Sequence, residues 1–150
     1  MDVVDKLSEI GAVLETYIKS ANTGTAFSLS VHDVWFNIDS SVPRTPAILI
    51  EPQNVEREMQ ATGFTTINTF LVHFTILHSR LGSESDTNQE CLKIAEDLEE
   101  VLHANRRLDG ELIHSIVSST TLGVASRQKT TLRAARLVWQ GFNKTKLPPL

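Results

Sequence analysis

At 150 residues, with 41% hydrophobic and 21% charged side chains, the chain has the size and mix of one domain that buries a core without metal or disulfide. Cys91 is the single cysteine, which excludes an intrachain disulfide and leaves a reducing cytosol as the default compartment. No basic stretch leads into an apolar one at the N-terminus and no apolar run approaches about eighteen residues, which argues against secretion and membrane spanning.

In chain order, Val3, Leu7, Ile10, Leu14 and Ile18 recur at helical spacing, with Val13 and Tyr17 widening the stripe. They predict an amphipathic helix from Asp2 to about Ser20. "ANTGT" breaks it, and a strand is expected near Phe27 to Trp35. A loop holding Asp39, Ser40, Ser41 and Pro43 follows. "PAILIEP", Pro46 to Pro52, reads as a short apolar strand bounded by prolines. The polar stretch from Gln53 to Gly63 fits an arm, a strand or a helical turn equally well.

"TTINTFLVHFTILHSR", Thr65 to Arg80, predicts a long strand. Phe70, Val72, Phe74 and Ile76 make one apolar face, and Leu71, His73, Thr75 and Leu77 make a second of mixed character. "GSESDTNQE" is loop chemistry, with Asp86 and Gln89 at capping-box spacing. Behind it Cys91, Leu92, Ile94, Ala95, Leu98, Val101 and Leu102 form a helical stripe, and Glu96, Asp97, Glu99 and Glu100 line its other side. His103, Arg106 and Arg107 suit the helix C-terminus, and Asp109-Gly110 makes a turn. Two strands are expected to finish the chain, Glu111 to about Thr121 and Thr130 to about Phe142, joined by a loop around Gly123, with a loose tail from about residue 143.

The order α-β-β-β-α-β-β predicts an α+β domain over 1–150, an antiparallel or mixed sheet with two helices packed on one face. The other sheet face is then left without helices.

Charge is unevenly placed along this order. Residues 1–111 hold all 18 acids and 8 of the 14 Lys and Arg, a balance of −10. Residues 112–150 hold no acid and six basic residues, Arg127, Lys129, Arg133, Arg136, Lys144 and Lys146. Such asymmetry points to an outside partner, or else to a basic strand neutralising acidic helices within one monomer.

The enzyme class draws little support. His73 and His78 are an odd number of residues apart on a strand, so they point to opposite faces and cannot share a metal. His32, His103 and His114 have no Cys or acidic partner at ligand spacing. No GxSxG, HExxH, Walker A or GxGxxG motif occurs, and Cys91 belongs to a helix stripe. No catalytic, cofactor or metal residue is assigned. For nucleic acid, Trp139 and Phe142 lie among basic residues, but Arg133 and Arg136 fall on opposite faces of the last strand and scatter the footprint. Assembly is the class the pattern favours. A sheet with one mixed face, acidic in one part of the chain and basic in another, suits head-to-tail contact between copies.

The passages "PRTPAILIEP", "TFLVHFTILHSR", "IAEDLEEVLHANRRLDGELIHSIV" and "TTLRAARLVWQG", in this succession of elements, resemble the tail terminator (tail-completion) proteins of long-tailed bacteriophages. The resemblance spans nearly the whole chain and rests on pattern, not on a catalytic signature. It implies a virion structural protein without turnover that forms a hexameric ring and is assembled in the host cytoplasm. Such a ring caps the tail tube, stops its polymerisation and joins it to a neck or head-completion protein; some members also touch a contractile sheath. Another ring-forming neck or tube protein is the second option. Within that frame, Leu71, His73, Leu77, Glu96, Glu99, Glu100, Arg133 and Arg136 are candidates for a subunit interface, and Trp35 and Phe36 for docking to tube or neck. No cofactor, membrane contact or specific nucleic-acid binding is expected.

Overall fold

A computed structural model describes residues 3–24, 26–36, 44–60, 64–79, 84–127 and 130–146. The loop with Asp39, Ser40, Ser41 and Pro43, the start of "GSESDTNQE", Lys129 and the tail from residue 147 lie outside the described residues. The elements are α1 (Val3–Thr23), β1 (Asp33–Phe36), β2 (Ala47–Met59), β3 (Thr65–His78), α2 (Glu84–Ala104), β4 (His114–Arg127) and β5 (Thr130–Lys146). This is the α+β order that the hydrophobic periodicities predict.

The five strands form one mixed sheet in the order β1-β2-β3-β5-β4. β1 runs parallel to β2, and the other three pairings are antiparallel. Both helices pack on one face. From α1 come Ile10, Leu14 and Ile18, and from α2 Cys91, Ile94, Leu98 and Leu102. They meet Ile48, Ile50, Phe70, Val72, Phe74, Ile76, Leu137 and Trp139 of the sheet in a single core. Burying that many large side chains supplies the main driving force for the fold, at roughly 1.5–3 kcal/mol each. Trp139 stands edge-on to Phe74, with ring centroids 6.3 Å apart at 89°. Its six-membered ring lies over Gly141, where an added Cβ would come within 2.6 Å of it; the glycine is what lets the indole lie flat against the strand.

Several boundaries differ from expectation, each for a local reason. Residues 26–32 are not paired as a strand. Side chains claim part of their backbone: Asp97 accepts from Ser28 N (3.0 Å) and Ser28 Oγ (2.7 Å), and Asn22 bonds the amide and carbonyl of Val31 at 3.2 and 2.8 Å. β2 does not stop at Pro52. A bulge between Pro52 and Asn54 shifts the register and accommodates a residue with no N–H to give. The open stretch after Gln53 becomes strand because β3 is long enough to offer it a ladder as far as Met59↔Thr66.

α2 begins at Glu84, so Asp86 sits inside the first turn and not at the cap, a place where negative charge still favours the helix dipole. Gly123 is not a loop. It pairs with Ala134 inside β4, which continues to Arg127, because neighbours Leu122 and Val124 have no turn chemistry. β5 runs past Phe142 to Lys146, paired with β3 down to Thr65. The "LDG" turn is tighter than two residues require: Leu108, Asp109 and Gly110 all have positive φ, 48°, 55° and 93°. Asn105 holds it, its Oδ1 accepting from Asp109 N at 3.1 Å, while Leu108 is buried beneath.

The open face of the sheet as candidate functional site

Alternation along the strands sends a second set of side chains away from the helices. At one end Leu49, Leu77 and Leu132 form a separate buried cluster, with Trp35, Ala125 and Ala134 packed against it. Leu77, an expected interface residue, is therefore covered by its own chain. Leu71 and His73, farther along β3, are half-buried, so the question of what covers this face falls on them.

Next to the cluster lies a polar row built by register. Thr75 pairs with Leu49 of β2 and with Arg136 of β5, and Arg136 pairs with Thr121 of β4. The Arg136 Nε donates to Thr75 Oγ1 at 3.4 Å, and the Thr75 hydroxyl donates in turn to Glu51 Oε1. His73 stands beside this chain. Burial, and after it the Arg136 guanidinium, push its imidazole below the ordinary histidine range, against the pull of Glu51.

Among the described residues no carboxylate lies within ion-pair distance of Arg136, whose side chain is exposed. It borders a groove of about 290 Å³ whose lining includes Thr75, Gly123, Ala125 and Ala134, with Leu122 and Val124 of β4 beside them. A planar guanidinium with no carboxylate partner among the described residues, beside a floor that includes Gly123, Ala125 and Ala134, is suited to accept a carboxylate presented by another surface.

The remaining sequence candidates are spread over the molecule. Arg133 lies on the helix face, where its carbonyl faces the Cys91 thiol at 3.9 Å. Cys91 is pushed up to about 11, first by burial and then by Glu90, so it stays a protonated, inert thiol at neutral pH. Glu96 and Glu100 are exposed on the outer side of α2 and Glu99 is half-buried. Arg136 is thus separated from all three within one chain by the thickness of the sheet. Trp35 and Phe36 split across the sheet: Trp35 rests on the Leu49–Leu77–Leu132 cluster, and Phe36 packs on the main core. Phe36 reaches so close to α1 that a Cβ on Gly11 would meet its ring at 2.2 Å. Both aromatics keep part of their surface open.

Among the described residues no group of three or more His, Cys, Asp or Glu side chains could hold a metal ion. The larger hollow beside α1, about 480 Å³, contains Glu9, Tyr17 and Asp109, but the Tyr17 hydroxyl is spent on the Val101 carbonyl at 2.6 Å. His78 is buried, and its Nε2 pairs with Glu90 of α2, a tie between strand and helix. His103 accepts from Val117 N at 3.1 Å at the bulge of β4. No described helix is long and apolar enough to cross a membrane.

None of Glu51, Thr75, Thr121, Gly123 and Ala134 is a site candidate in the sequence, although Thr75 is placed on the second face of its strand. Alternation within β3 puts Thr75 on the open face, but only the pairing of β3 with β5 brings Arg136 to it. Comparison with known proteins adds no constraint, since no family model and no curated protein matches this sequence.

Proposed function

We propose that the chain is a structural subunit of a bacteriophage particle, one that assembles into a ring, caps the end of the tail tube and joins it to the neck. The observation that carries this reading is the open sheet face, which holds an arginine beside a groove while acids sit on the far side of the molecule, neither with an ion-pair partner among the described residues. A surface of that kind is completed by another copy placed head to tail, and heterologous contacts close into rings when the rotation permits. The element order and the passages that resemble tail terminators supply the rest. Capping then needs no turnover; it follows from shape and charge complementarity between the ring and the last layer of tube subunits.

Light scattering across protein concentration and salt, with negative-stain images of the same samples, tests the reading. A six-fold ring that binds purified tail tubes at their ends and blocks further growth is the expected result. A chain that neither forms rings nor binds tubes overturns it. A ring that binds tube ends without stopping growth points instead to a neck or tube component.

A further inference from the structure

We infer that the groove at Arg136 receives the outer face of helix α2 from a second copy of this chain, with Leu92 over the groove floor and Glu96 paired to the Arg136 guanidinium. The inference rests on the reading of the chain as a ring subunit and names the contact that would build the ring.

Three observations on independent parts of the molecule agree. First, the receiving surface is open and shallow enough for a helix. A Cβ built on Gly123 meets nothing within 4 Å, and Ala125 and Ala134 share its face of the strands, while Leu122 and Val124, which also line the groove, alternate to the other face. Small side chains let a helix approach the strands closely.

Second, the outer face of α2 carries what such a floor lacks. Leu92 is 39% exposed, an apolar side chain on the solvent side of a helix whose Cys91, Ile94, Leu98 and Leu102 already face the core. Glu96 follows four residues later on the same side and is exposed, and Glu99 and Glu100 extend the acidic stripe. Among the described residues none of these three acids has a cationic partner. Lys93, by contrast, is drawn aside to Asp97 at 3.3 Å.

Third, the spacings match. Four residues of helix rise about 6 Å, and Ala134 to Arg136 spans about 6.8 Å of strand. A leucine seated above Ala134 and Gly123 therefore brings the glutamate to the guanidinium. On the receiving side Glu51 is on β2, two strands from Arg136, and is engaged by the Thr75 hydroxyl.

The contact is heterologous, because the groove and the helix are on opposite sides of one protomer. Each copy gives a helix to one neighbour and takes a helix from the other, the geometry that extends or closes a ring.

That directionality supplies a strong test. Glu96→Arg and Arg136→Glu each set like charges across every contact of a homogeneous sample. Mixed one to one, Arg at 96 of one variant meets Glu at 136 of the other, and the native pair forms at the alternate contacts. Sedimentation velocity of the full chain should show wild type assembled, each variant alone reduced to the 16.7 kDa monomer at the same concentration, and the mixture restored. Gly123→Leu fills the groove without changing charge and should also leave monomer; circular dichroism checks that all variants are folded. Variants that assemble like wild type, or a mixture that stays monomeric, overturn the docking contact while the ring reading stands on wild-type particles. A wild type that remains monomeric at every concentration also overturns the contact, and binding to tube ends then decides the function separately.

Discussion

Asp97 shows how one side chain sets the path of a segment. It is buried on the inner half of α2, where burial opposes its ionisation, yet the Ser28 amide and hydroxyl and the Lys93 ammonium together hold its carboxyl below the usual range. A depressed folded value means that the stabilisation is complete above the unfolded carboxylate value of about 4 and is lost as pH falls through the folded one. Asp97→Asn should cost about 2 kcal/mol at pH 7, the scale of hydrogen bonds to a charged acceptor, and the difference from wild type should shrink in urea titrations below about pH 4. At Gly141 the constraint is space. Gly141→Ala should destabilise by about 1–3 kcal/mol, as overpacking does, because the Cβ would enter the Trp139 ring and touch Leu112 at 2.9 Å; thermal unfolding followed by tryptophan fluorescence measures it.

Among the elements, β4 is unusual. It is an edge strand, its sequence from Ser115 to Ser126 has no charge and no proline, and Ile116, Leu122 and Val124 are 42%, 46% and 57% exposed. Edges of this kind pair with foreign strands unless blunted. Ile116→Lys should leave folding stability within about 0.5 kcal/mol and lower the rate of thioflavin-positive aggregation on heating; an unchanged rate would show that the bulge at Val117 already protects the edge. The helices and the inner face of the sheet were legible in the sequence because periods of 3.6 and 2 report burial directly, as for Ile10, Leu14 and Ile18 or Phe70 to Ile76. Strand ends were not. Pairing partners far along the chain decide them, so β2 continued past a proline and β4 past a glycine. The groove was less legible still: Arg136 was picked out by its charge, but its contact with Thr75 follows from a strand pairing that spans 61 positions.

For the whole molecule, stability rests on two helices closing one face of a sheet, and Cys91 sits at that seam, fully buried. Its thiol should therefore react with a disulfide reagent only when α2 lifts from the sheet, at a rate set by that opening. Labelling in increasing urea should track the global unfolding transition. Fast labelling in native buffer would reveal that α2 detaches locally while the rest stays folded. Lys6 binds the two halves of the helical layer from the other end: Glu111, just after the turn that follows α2, raises the lysine above its usual range through a direct hydrogen bond.

The bulge at Pro52 divides β2 into two lengths with different obligations. Up to Ile50 every residue is buried, and from Gln53 onward nearly every one is open to water. Beyond the bulge β2 runs with β3 and β5 as a ribbon toward exposed Met59 and Phe64. Side chains on a strand repeat every second position, so the ribbon could be lengthened or trimmed in matched pairs, roughly 7 Å at a time, with neither the core register nor the helix seats disturbed. Evolution would thus have a ruler to adjust: the reach of the tip could drift to suit a new neighbour while the body of the molecule kept its stability.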